Sequence, residues 1–176
     1  MTFKPFTDNI IFYDTEFSSL DPYKGEIISI GAVKMNGEEF YCELEFDGEY
    51  SDWVKENLLY TLTAPKVSRA EAQELLLEFV GPNKPYMLAY VNQFDTIYTH
   101  KLFGGREVDR SPFYWLPLDF ASVLVGLGYN PEVFKADDYT KLAKELGVPI
   151  KTGHTHNALD DAKFLREIYL ALITKR

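Results

Sequence analysis

The first fifty residues contain three stretches whose pattern of apolar and polar positions predicts β-strands: the first is mostly apolar, and the third alternates. The strands are indicated at Ile10 to Phe17, Ile27 to Met35 and Glu39 to Phe46. Asn36-Gly37 separates the second strand from the third, and this dipeptide is typical of a type I′ hairpin turn because both residues tolerate positive φ. The pattern therefore predicts an antiparallel three-stranded meander at the start of the chain.

The apolar period changes to that of helices in the middle of the chain. Ser51 can cap a helix that ends near Tyr60, and a capping box at Ser68 precedes a helix over Ala70 to Val80. The short apolar run Pro85 to Val91 predicts a fourth strand. Helices are then predicted from about Asp95 to Phe103, from a cap at Asp119 to Leu127, from a cap at Asp137 or Asp138 to Gly147, and from Ala158 to about Ile173. The order indicates an α/β fold.

Two acids interrupt the first strand, which is otherwise apolar enough to be a central one. Asp14 and Glu16 are two residues apart, so their side chains project from the same side, roughly 6 to 7 Å apart at the backbone. Like charges on a buried strand require protonation, cationic partners or metal ions. The alternative is a solvent-exposed pair at the end of the strand, and further ligands elsewhere in the chain would decide between the two.

The last helix supplies such a ligand. On a helical wheel, Asp161 lies within about 60° of Phe164, Leu165, Ile168 and Leu172, so it faces the apolar side. The adjacent Asp160 falls on the opposite side, near Lys163 and Glu167. An acid on an apolar face near a helix start either caps the helix or binds something. Asn157 already provides a cap, which leaves binding as the competing interpretation.

Composition limits the class of protein. The chain has 176 residues, of which 46% are hydrophobic, and we expect one domain covering residues 1–176. No apolar run is long enough to cross a membrane and no secretory signal is evident, so we expect a soluble cytoplasmic protein. Cys42 is the single cysteine, which excludes an internal disulfide and a cysteine-rich metal site. The net charge of −9 argues against broad electrostatic binding of duplex nucleic acid, although bound cations could still bring phosphate to a site.

Together these residues resemble a known family. Asp14-Thr15-Glu16 on the first strand, Phe94-Asp95 at a mid-chain helix, and His156 five residues before Asp161 are similar to the three motifs of the DEDDh 3′-to-5′ exonucleases. The resemblance implies a ribonuclease-H-like fold with a mixed five-stranded sheet, the meander plus parallel strands, flanked by helices. Within that family, the chain most resembles the small exoribonucleases typified by mycobacterial ribonuclease AS.

The resemblance also implies a chemistry for each matching residue. Asp14, Glu16 and Asp161 would hold one of two divalent ions, Mg²⁺ or Mn²⁺, and Asp14 would bridge to a second ion beside Asp95. His156 would be the general base that takes a proton from the attacking water. The expected partner is single-stranded nucleic acid with a free 3′ end, RNA in preference to DNA, and relatives are often homodimers.

Some assignments stay open. Phe17 and Leu20 occupy positions where relatives contact the terminal nucleotide, but core packing would explain them nearly as well. Base-stacking platforms could also be provided by Trp53, Trp115 and Tyr114, although nothing in the sequence separates that role from a place in the core or in an interface. His154 is off the family spacing. A DNA exonuclease of proofreading or repair type and a catalytically silent nucleic-acid-binding module are the alternative functions.

Overall fold

The computed structural model describes residues 3–105, 110–134, 143–144, 146–147 and 155–174. Its centre is a mixed six-stranded sheet with the spatial order β4-β3-β2-β1-β5-β6. The strands are β1 Ile10–Phe17, β2 Ile27–Lys34, β3 Glu39–Leu44, β4 Lys66–Val67, β5 Tyr86–Ala89 and β6 Leu118–Asp119. β1, β2 and β3 form the predicted antiparallel meander, and β5 pairs parallel to β1. The strand that carries the two acids is therefore flanked by a partner on each side.

Five described helices surround the sheet: α1 Asp52–Asn57, α2 Arg69–Val80, α3 Gln93–Leu102, α4 Phe120–Gly126 and α5 Ala158–Thr174. The predicted N-caps are present in the structure. The side chains of Ser51, Ser68 and Asp119 each accept a hydrogen bond from a backbone N–H group in the first turn of the helix that follows. α1 ends earlier than predicted and a 3₁₀ turn, Leu59–Thr61, follows it. The helix predicted from Asp137 or Asp138 begins outside the described residues.

The sheet has one strand more than expected. Both of its edge strands, β4 and β6, contain only two residues, too few to produce an alternating pattern in the sequence. The predicted type I′ turn is also wrong. Gly37 has a φ of 91° and donates to the carbonyl of Lys34, whereas Asn36 is not among the described residues with positive φ. The hairpin therefore uses a longer turn with glycine alone in the left-handed region.

β1 separates two hydrophobic layers because its side chains alternate between the faces of the sheet. Ile11 and Tyr13 pack with residues of α2 and α3 on one face. Ile10 and Phe12 pack with residues of α4 and α5 on the other. All four side chains are almost fully buried, and at about 25 cal/mol per Å² such burial is the main stabilising contribution that fixes both helical layers to the strand.

Within the described ranges, no helix is both long enough and apolar enough to cross a lipid bilayer.

Candidate active site

The acids of β1 meet the start of α5 at one end of the sheet. Asp14 and Glu16 continue the row of Ile10 and Phe12, so they point toward the layer that contains α5. Asp161 lies in the first turn of α5. Oxygen atoms of the three carboxylates lie within 4.8 Å of one another. The chain thus brings three negatively charged groups from two elements to one point.

A glycine on β2 permits this convergence. Gly31 pairs with Asp14 across the β1–β2 ladder. A Cβ atom at position 31 would lie 2.1 Å from the carbonyl carbon of Ala158 and 2.3 Å from the amide nitrogen of Leu159. Because both are backbone atoms of the start of α5, no side-chain movement could relieve the overlap. The helix can rest on the sheet at this depth only above a residue without a side chain.

Asp95 reaches the same point from the opposite helical layer. β5 pairs only with residues 10–12 of β1, so the backbone N–H of Thr15 is not used in hydrogen bonds between these two strands. Thr15 donates this N–H to Oδ1 of Asp95 at 2.9 Å, and its hydroxyl lies 2.8 Å from the same oxygen. The two contacts fix the first turn of α3 against β1. Both use Oδ1, so they leave Oδ2 of Asp95 for another partner.

Burial and mutual repulsion shift the ionisation of these acids. Desolvation, followed by the charges of Asp95, Asp161 and Glu16, holds the pKa of Asp14 well above its usual range. Desolvation and the charges of Asp161 and Asp95 raise the pKa of Glu16 to about 8. Desolvation also raises the pKa of Asp95 to about 7 against the opposing hydrogen bonds from Thr15. The site therefore favours either protonation or nearby positive charge at neutral pH.

His156 lines the site and receives two contacts from the region of α1 and the 3₁₀ turn. Its φ of 52° lies in the left-handed region, which is uncommon for a residue other than glycine. The hydroxyl of Thr61 lies 3.1 Å from its backbone oxygen and 2.8 Å from that of Leu58, so the two carbonyls share one proton. The indole of Trp53 meets its imidazole edge-to-face with 4.9 Å between ring centroids. His154, the other histidine of this segment, lies outside the described residues.

All of the candidate residues line one cavity of about 600 Å³. Phe17 forms part of its wall and stacks on Tyr98, whereas Leu20 is 66% exposed at the opening. Trp53 is also half exposed and lines the cavity. Apart from the acids and His156, apolar and aromatic groups dominate the walls. Such a cavity can hold a nucleobase against its sides and a phosphate near the acids.

Asp160, which precedes Asp161 on α5, does not line the cavity, as the helical wheel predicts. Asp160 lines a separate pocket together with Lys163 and Glu167, while Asp161 lines the cavity described above. The two adjacent acids of α5 therefore face different surroundings.

Three contributing residues were not identified from the sequence. Thr15 orients Asp95, Thr61 contacts the backbone of His156, and Gly31 admits α5. A glycine inside an otherwise apolar strand is a recognised sign of close backbone approach, so Gly31 could have been found. The two threonines gave no signal, because their partners are 80 and 95 residues away in the chain.

The donor set suits hard divalent cations. It consists of carboxylate oxygens, without a cysteine among the described lining residues, and each of Asp14, Glu16 and Asp95 would be relieved of repulsion by a cation. Asp14 belongs to the cluster with Glu16 and Asp161, and the charge of Asp95 also raises its pKa. The site fits two divalent metal ions.

The comparisons with known proteins point to one fold and one family. The chain is similar to S. pombe Pop2p in its Mg²⁺- and Mn²⁺-bound form, with 15% identity and a TM-score of 0.71 over 95% of this chain and 83% of that one. It is also similar to E. coli Exonuclease I bound to a dT13 oligonucleotide, with 19% identity and a TM-score of 0.64. That alignment covers 94% of this chain but 40% of Exonuclease I.

A zinc-bound form of the E. coli Exonuclease I complex with single-stranded DNA gives a TM-score of 0.62 at 18% identity, with 94% of this chain and 40% of that one covered. At these identities the likeness establishes the ribonuclease-H-like fold, as the sequence motifs predicted. No curated protein matches the chain. The exonuclease family model RNase T matches residues 11–169, a span that contains every candidate acid and His156. The chain therefore belongs to the RNase T exonuclease family.

Proposed function

We propose that this chain is a metal-dependent 3′-to-5′ exonuclease that trims single-stranded RNA to nucleoside 5′-monophosphates. The observation that carries the proposal is the convergence of Asp14, Glu16 and Asp161 with Asp95 in one cavity that also contains His156. A module that only bound nucleic acid would gain nothing from gathering four like charges in one cavity, since they repel phosphate.

Each acid has a position that suits one task. Glu16 and Asp161 would hold one cation, Asp95 would hold the other, and Asp14 would contribute to both. When bound, the two ions supply the positive charge that neutralises the scissile phosphate and lowers the pKa of the attacking water. We propose Mg²⁺ or Mn²⁺, because both prefer oxygen ligands.

His156 is the proposed general base. Histidine is the side chain used most often for general-base catalysis, because imidazole can take up and release a proton at mild pH. Its side chain lines the same cavity as the acids, where it could take a proton from a water bound beside them. The contacts from Trp53 and Thr61 limit how far the residue can move.

The walls support an exonuclease acting on a terminal nucleotide. Phe17, packed on the rings of Phe94 and Tyr98, is a fixed wall, and Leu20 at the opening can contact the last base. A duplex end would first have to unpair, at about 1 to 2 kcal/mol per step. The preference for ribose rests on the resemblance to the ribonuclease AS type.

The test uses 5′-labelled single-stranded RNA and a DNA of the same sequence, each with Mg²⁺, Mn²⁺ or excess chelator. We expect a ladder of RNA products shortened from the 3′ end, slower cutting of DNA, and no products with chelator. Hydrolysis that persists in chelator would contradict the metal requirement. Cleavage of a circular strand would contradict exonuclease action.

A DNA exonuclease is the second candidate, favoured by the similarity to Exonuclease I in complex with oligo-dT. The same experiment separates the two, since equal or faster cutting of the DNA strand would move the assignment to DNA. Binding of either strand without products in any metal would instead support a catalytically silent module.

A further inference from the structure

A buried acid outside the cavity carries a further inference. Glu43 on β3 is fully buried, and β2 lies between it and β1: Glu16 pairs with Ser29, and Ser29 pairs with Glu43. Two strand spacings separate Glu43 from Glu16, about 10 Å, which is too far for both to ligate one ion. Glu43 is also not among the residues that line the cavity.

One oxygen of Glu43 accepts three donors. The backbone N–H groups of Thr63 and Ala64 lie 2.8 and 2.9 Å from Oε1, and the hydroxyl of Tyr41 lies 2.9 Å from it. Two consecutive backbone N–H groups directed at a carboxylate bind it in the way that a helix N-terminus binds an anion. Glu43 therefore fixes the segment that follows the 3₁₀ turn against the sheet.

That segment in turn holds His156. Thr61, two residues before Thr63, has its hydroxyl 3.1 Å from the backbone oxygen of His156 and 2.8 Å from that of Leu58. A histidine with positive φ keeps that conformation only where neighbouring groups enforce it. Among the described contacts of His156, this hydrogen bond and the ring of Trp53 provide the enforcement, and both come from the stretch between β3 and β4.

We propose that Glu43 is a positioning residue for His156: it anchors residues 61–64, and through Thr61 it fixes the place of the general base without touching substrate or metal. The inference rests on the proposed role of His156. It goes beyond the family motifs, because Glu43 belongs to none of the motif positions and acts across two strands and a loop.

The experiment is a double-mutant cycle between Glu43→Leu and His156→Ala, measured on the 5′-labelled single strand that the enzyme cuts. We expect Glu43→Leu to lower kcat about 10-fold, with KM and the calorimetric affinity for Mn²⁺ unchanged within about 2-fold. In the His156→Ala background the same substitution should change kcat by less than about 2-fold, because the group it positions is gone. Glu43→Gln, which keeps an accepting Oε1, should recover most of the activity.

Two further variants protect the test against a folding defect in Glu43→Leu. Thr61→Val removes the hydroxyl that reaches His156 and should reproduce the loss in kcat, whereas Thr61→Ser should not. Tyr41→Phe removes one donor to Glu43 but leaves both backbone bonds, so it should retain wild-type kcat. Melting temperatures identify any variant whose loss comes from unfolding.

The possible failures differ from one another. Equal losses from Glu43→Leu in both backgrounds, or unchanged kcat in a folded Thr61→Val, would overturn the positioning role and leave the exonuclease intact. Unchanged kcat in His156→Ala alone would overturn the proposed base, and the positioning role with it. No hydrolysis by the wild-type chain with any metal would overturn the proposed function itself.

Discussion

Gly31 lies directly beneath Ala158, so close that a Cβ atom on Gly31 would come within 2.1 Å of the carbonyl carbon of Ala158. This contact sets the depth at which α5 rests on the sheet. The depth matters because Asp161, one turn into the same helix, must reach the acids of β1. A residue without a side chain thus determines whether the acids of β1 and α5 meet.

The first prediction is that Gly31→Ala displaces α5 and abolishes activity. The methyl group meets backbone atoms that cannot rotate away, so we expect destabilisation of about 1 to 3 kcal/mol and at least about 10²-fold weaker divalent-metal binding. Urea denaturation and calorimetry measure the two effects.

Gly126 offers a matched control. It lies at the end of α4, and a Cβ there would meet no atom within 4 Å. Gly126→Ala should leave metal binding unchanged and stabilise the fold slightly, by up to about 1 kcal/mol. If Gly31→Ala bound metal as the wild type does, the close approach would have no role in forming the site.

The second prediction compares the adjacent acids of α5. Asp161→Asn should abolish hydrolysis, by about 10³-fold or more, because it removes a ligand oxygen from the cluster of three carboxylates. Asp160→Asn should retain most of the activity, since Asp160 lines a different pocket. Initial rates on the labelled strand distinguish them, and similar losses in both variants would mean that helix damage, not ligand loss, is being measured.

The third prediction concerns the orientation of Asp95. Thr15→Val removes the hydroxyl contact but keeps the backbone N–H bond, so Asp95 should stay near the site with more freedom. We expect metal titrations of activity to shift about 10-fold to higher concentration, as is usual when a group that orients a ligand is lost. Thr15→Ser retains the hydroxyl and should behave as the wild type. A Thr15→Val enzyme that saturates at the wild-type metal concentration would contradict this role.

The fourth prediction is that metal-free protein loses stability as pH rises. The pKa values of Glu16 and Asp95 are raised in the fold to about 8 and about 7, from about 4 in an unfolded chain. The folded state therefore binds these protons more tightly than the unfolded state, and the associated stability is lost as pH rises through the folded pKa values. Melting temperatures in chelator should fall from about pH 4 to about pH 8, most steeply below about pH 7, where both groups contribute.

Divalent metal should reverse this trend, because it replaces the protons and its binding releases them. Melting in excess Mn²⁺ should be nearly independent of pH above about 7. Asp14→Asn in chelator should show a weaker fall than the wild type, since the substitution removes a carboxyl whose own pKa is held well above its usual range. A metal-free wild type that became more stable from pH 6 to 8 would contradict the raised pKa values.

The sequence by itself determined the elements and the chemistry of their side chains. The alternation in β1 placed Asp14 and Glu16 on one face, and the helical period of α5 separated Asp161 from Asp160. Both conclusions depend only on local geometry, two residues per repeat in a strand and 3.6 in a helix, which is why they could be drawn from a short stretch of chain. The roles of these acids and of His156 stay predictions until the variants are measured.

Only the tertiary structure decided how the elements meet. The contact of Thr15 with Asp95, the approach of α5 to Gly31 and the anchoring of residues 61–64 by Glu43 join positions that are far apart in the chain. The two-residue edge strands also form because neighbouring strands offer free backbone groups, and not because of their own composition. Such contacts depend on how the elements pack and on which backbone N–H and C=O groups remain unpaired between strands. Neither can be read from the pattern of residues in a short stretch of sequence.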